Sequence, residues 1–136
     1  MFAALNRNLL QSVLFADGVF SLAVAVLFFA VPGPIGSLVG PFASPMLING
    51  LAAFFLLWGA FHLALARQAQ PSAAAVRLAI VGDGLWVIAS IAVLIAGRDG
   101  LTLTGIILIA VAAVAVADIL LLKQIGLARR QRAAMA

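Results

Sequence analysis

The chain has 136 residues, of which 66% are hydrophobic and 9% charged, with a formal net charge of +4. A soluble domain is roughly 45–50% apolar and about 25% charged, so this composition excludes a soluble catalytic module and describes a membrane protein, one domain over 1–136. The absence of cysteine removes disulfides, thiolate nucleophiles and sulfur-ligated metals, and a single histidine removes a multi-histidine metal centre. The basic balance resides in arginines near the ends of apolar segments and is not interleaved with aromatics, which argues against nucleic acid.

Crossing about 30 Å of hydrocarbon takes roughly 20 apolar residues in a helix. The first stretch long enough covers about 9–31. Its length, the internal Asp17 and the lack of a small-x-small end read as a retained span, not a cleaved signal. The connection that follows, PGPIGSLVGPFASP (32–45), holds four prolines and three glycines and is not expected to be helical throughout. It reads as an interfacial loop, or, because Ile35, Leu38, Val39 and Phe42 are apolar, as a segment folded back over the outer end. The second span is expected over 46–66, the third over 78–96 and the fourth over 101–122.

Arg7 precedes the first span, Arg67 and Arg77 bracket the second connection, and Lys123, Arg129, Arg130 and Arg132 follow the last span. The connection over 32–45 is uncharged and the third carries only Arg98 beside Asp99, so both termini are expected in the cytoplasm. The tail arginines Arg129, Arg130 and Arg132 also suit anionic lipid head groups.

An internal pseudo-repeat is visible. FADGVFSLAVAVLFFA (15–30) aligns with VGDGLWVIASIAVLIA (81–96), pairing Asp17 with Asp83 and Phe20 with Trp86, and the following helices end in LALARQ and LLLKQ. Two halves crossing in the same sense form a parallel repeat of the kind found in some transporters. Small residues recur at Gly82, Ala89 and Ala96 and at Ala110, Ala113 and Ala117, positions that let helices approach closely.

Each expected span carries one ionisable group in its cytoplasmic half: Asp17, His62, Asp83 and Asp118. A charge facing lipid near the bilayer centre costs at least about 2.5–3.5 kcal/mol, so such groups point inward, pair or take up a proton. Carboxyl and imidazole groups in one such layer are candidates for proton exchange or substrate binding. The alternative is structural, with Asp118 and His62 reaching toward the interface and Asp83 stapling helices by bonding His62 or Ser21. Trp58 is one turn from His62, so its indole is positioned to stack on the imidazole; Trp86 and Ser21 are further packing neighbours. No phosphate loop is present, Ser21 and Ser90 have no histidine on their own helices, and neither a metal nor another cofactor is expected.

VRLAIVGDGLWVIASIAVLIAG (76–97) and QIGLARR (124–130) resemble a group of small, uncharacterised bacterial four-helix integral membrane proteins. The resemblance implies a topology, placement in the bacterial inner membrane, and no activity. In that group the position of Asp83 can be an asparagine, which makes Asp17 the stronger functional candidate. The small multidrug exporters are similar in length and share an acid in the first helix, but this chain has no glutamate and lacks their third-helix pattern.

The expected fold is therefore an all-α bundle of four transmembrane helices. Two function classes remain. One is a non-enzymatic accessory or scaffolding subunit of a membrane complex. The other is a proton-linked transporter of a small or lipophilic solute, working as a homodimer because four helices enclose little volume.

Overall fold

The computed structural model describes residues 8–135. Arg7, used above for orientation, lies outside the described residues. Of the described residues 88% are helical and none lies in a strand. Helices α1 (Leu9–Ala30), α2 (Pro32–Val39), α3 (Pro45–Ala66), α4 (Ala73–Ala96) and α5 (Leu103–Met135) follow in order, with a 3₁₀ turn at Arg98–Gly100 before the last. Four of them, α1, α3, α4 and α5, are long and apolar enough to cross a membrane.

Two boundaries depart from expectation, both for local reasons. Helix α4 begins at Ala73, several residues before the expected start, because the Ser72 side chain accepts from Ala75 N and caps it. Helix α5 does not stop at residue 122 but continues to Met135. Residues 123–135 are mostly strong helix formers, and the one weak former, Gly126, packs its backbone on Leu10 where a Cβ would come within 3.0 Å of Leu10 Cβ. At about 1.5 Å per residue the 33 residues reach about 50 Å, well beyond a hydrocarbon layer of about 30 Å.

The proline-rich connection is not helical throughout, as the composition requires, yet its first eight residues form α2. Pro32 and Pro34 fall in the first turn, where the backbone N–H groups would have no intrahelical acceptor anyway. Gly40 then turns the chain with φ of 149°, and a Cβ there would meet Gly100 O at 2.1 Å. The segment is tied to the start of α5: Thr102 N donates to Val39 O at 2.9 Å, and Val39 O sits where a Cβ on Gly105 would be. These contacts hold the segment against the start of α5 through its backbone, while Leu38 and Phe42, two of the apolar residues on which the folded-back expectation rested, are exposed.

Helices α1 and α3 pack closely at a glycine crossing, where a Cβ on Gly59 would lie 2.9 Å from Gly18 O. At the opposite end from α2, Leu10, Leu14, Leu65, Val76, Ala79 and Leu127 form an apolar core cluster drawn from α1, α3, α4 and α5. Most other large apolar side chains are exposed, including Phe15, Leu57, Ile88 and Val111. That inversion of the usual order is what a lipid solvent requires.

Candidate functional site: a buried ion cluster

Just above the apolar cluster, one ionisable side chain from each of the four long helices meets the others. Asp17 on α1, His62 on α3, Asp83 on α4 and Lys123 on α5 are all buried, and the lysine and histidine have no exposure at all. The Lys123 ammonium is at the centre. It donates to Asp17 Oδ2, to Asp83 Oδ2 at 2.6 Å and to His62 Nε2 at 2.7 Å. An ammonium has three N–H donors, and here each has an acceptor on a different helix.

The histidine tautomer follows from its other contact. Nδ1 lies 2.8 Å from Trp58 O, a carbonyl that can only accept, so Nδ1 carries the hydrogen and Nε2 is left as the acceptor for Lys123. His62 Nε2 is also 3.2 Å from Asp17 Oδ2, within reach of a direct bond should that nitrogen gain a proton. The second oxygen of Asp17 accepts from Ser21 Oγ at 3.4 Å, one turn along α1. With both carboxylates ionised, two negative charges face one positive charge; one added proton makes the cluster neutral. No buried side-chain nitrogen or oxygen among the described residues lacks a hydrogen-bond partner.

An aromatic chain braces the histidine. The Trp58 ring meets the imidazole edge-on at 5.0 Å, not in the stacked geometry that their spacing suggested. Trp58 stacks in turn on Phe54 at 5.7 Å, and Phe54 on Trp86 of α4 at 6.0 Å. Gly82 makes room for this arrangement, since a Cβ there would fall 2.2 Å from the Trp58 ring. Trp86 therefore belongs to the bracing and not to the cluster itself. The expected link between Asp83 and His62 or Ser21 is replaced by one through Lys123.

Asp118 stands apart from the other three sequence candidates. It is exposed on α5 and lines a shallow surface concavity with Ala110, Val111, Val114 and Ala115. The five residues from Asp118 to Lys123 turn an α-helix by about 140° beyond a full turn, so when one faces the other helices the other faces away.

Lys123 is the residue that sequence reasoning missed, having been read as an interfacial charge marking the end of the last span. Two signals could have found it. The apolar pattern continues past it through Ile125 and Leu127, with Leu120, Gly126 and Leu127 on its own helical face. Asp17 and Asp83, both within spans, also needed a cation or a proton, and Lys123 is the chain's only lysine.

Asp17, His62 and Asp83 present ligand atoms within 4.8 Å of one another, a donor set of the kind that suits zinc or manganese. The Lys123 ammonium stands in the position a metal cation would take, matched to all three donors. What the fold and the site define is a multi-pass helical membrane protein whose polar interior is organised around a buried lysine. Comparison with protein-family models, with curated proteins and with solved structures gives no match.

Proposed function

We propose that this protein is a non-enzymatic accessory or scaffolding subunit of a membrane complex, a four-helix bundle in the bacterial inner membrane with both termini in the cytoplasm. The observation that carries the reading is the way the Lys123 ammonium ties the four helices together: each of its three donors meets an acceptor on a different helix. The larger cavity, of about 730 Å³, lies elsewhere, between the start of α1, the connection over 67–72 and the end of α5. Orientation rests on Arg67, Arg129, Arg130 and Arg132 at that same end, which also suits anionic lipid. Native mass spectrometry of the protein in nanodiscs drawn from its own membranes tests the reading. A second protein at fixed stoichiometry is expected; recovery alone, or as a homodimer holding a solute, overturns it.

One observation favours a second reading, proton-linked transport of a small or lipophilic solute by a homodimer. Asp17 Oδ2 is within reach of both Lys123 and His62, so a proton entering the cluster has a second arrangement available to it. Asp17 and Asp83, the two aspartates paired in the sequence alignment of the halves, also meet at one lysine. In that case Asp17→Asn abolishes pH-driven uptake per folded molecule, and undiminished uptake by that variant refutes it.

A further inference from the structure

Asp118 faces outward at a depth where an acid has no solvent to support it. Gly126 packs on Leu10 and Lys123 reaches Asp17, so α5 runs antiparallel to α1 with residue 126 level with residue 10. Eight residues separate Asp118 from Gly126, about 12 Å along the axis, which brings Asp118 level with Gly18 and well inside a hydrocarbon layer of about 30 Å. It is exposed and has no hydrogen bond or ion pair among the described residues. An intramembrane carboxylate turned to lipid is costly, and such groups normally face protein. Around it, Ala110, Val111, Val114 and Ala115 line a shallow groove of about 390 Å³ along one face of α5, with two alanines that permit close approach of a backbone.

We propose that this face docks a transmembrane helix of a different protein that carries a lysine or arginine at the depth of Asp118. Charge selects the occupant. A second copy of this chain would bring to that depth another Asp118, because its one buried cation, Lys123, is already committed to Asp17 and Asp83. The exposed arginines among the described residues, Arg67, Arg77, Arg98, Arg129 and Arg132, all lie near or beyond the ends of the apolar spans. The inference rests on the accessory-subunit reading and names the chemistry of the partner.

The test uses a synthetic Leu/Ala helix with a single central lysine, labelled for energy transfer to the full-length protein in phosphatidylcholine nanodiscs. Asp118→Leu leaves the buried cluster untouched and removes a lipid-facing charge, so it is expected to fold. Association with the lysine helix is expected to fall at least tenfold in Asp118→Leu, and also when the lysine is moved two turns along the peptide. Equal binding by wild type and variant, or binding by neither, overturns the proposal. So does a wild-type homodimer that Asp118→Leu dissolves, which would make the occupant a second copy. Native complexes separate this outcome from the broader reading. A partner retained by Asp118→Leu removes the docking face and leaves the accessory role standing; Asp118-dependent peptide binding by a protein that has no native partner removes the accessory role alone.

Discussion

Replacing Lys123 by methionine keeps most of the length of the side chain and deletes the charge on which Asp17 and Asp83 converge. At 2.6 Å and an effective dielectric constant of about 20, the attraction between the ammonium and Asp83 is about 6 kcal/mol, and the contact with Asp17 is comparable. Much of this offsets the cost of taking three charged groups out of water. The net loss expected for Lys123→Met is therefore the about 3–5 kcal/mol typical of breaking a buried pair and leaving its partners unpaired. The triple variant Lys123→Met, Asp17→Asn, Asp83→Asn removes the stranded carboxylates as well, and it is expected to recover most of that loss. Unfolding in SDS, followed by circular dichroism in mixed micelles, measures both. A Lys123→Met protein within about 1 kcal/mol of wild type would refute the buried-ammonium account, as would a triple variant less stable than the single one.

Gly82→Ala places a methyl group 2.2 Å from the Trp58 ring, so the indole must move off His62. A loss of about 1–3 kcal/mol is expected, together with a shifted tryptophan emission, read by fluorescence during the same unfolding. Gly105→Ala drives a methyl group into Val39 O at 2.1 Å and should lift α2 from the start of α5 at a similar cost of about 1–3 kcal/mol. Faster exchange of the Thr102 amide, which donates to Val39 O, would report it. Ser72→Ala removes the cap of α4 and should cost about 1 kcal/mol, with fraying confined to its first turn by hydrogen exchange. Reporter fusions after Met135 and within 32–45 should place the first in the cytoplasm and the second outside; the reverse result would overturn the assigned orientation.

The four long helices were legible in the sequence because a bilayer imposes a minimum apolar length, and a run of about 20 such residues carries that signal without reference to any neighbour. The intramembrane positions of Asp17, His62 and Asp83 were legible for the same reason, since a titratable residue inside an apolar run needs an explanation wherever it occurs. The tertiary structure decided how these residues are partnered. Lys123 looked like an interfacial anchor because its depth depends on how α5 is registered against α1, and that register is marked by the backbone of Gly126 resting on Leu10, a contact between residues far apart in the chain. Asp118 looked equivalent to Asp17 because depth along an axis can be counted from the sequence, whereas the direction a side chain faces is fixed only when helices pack. With lipid as apolar as the side chains, hydrophobicity places a helix in the membrane but does not choose its inward face. In this protein, glycine crossings and a single buried ammonium define that face.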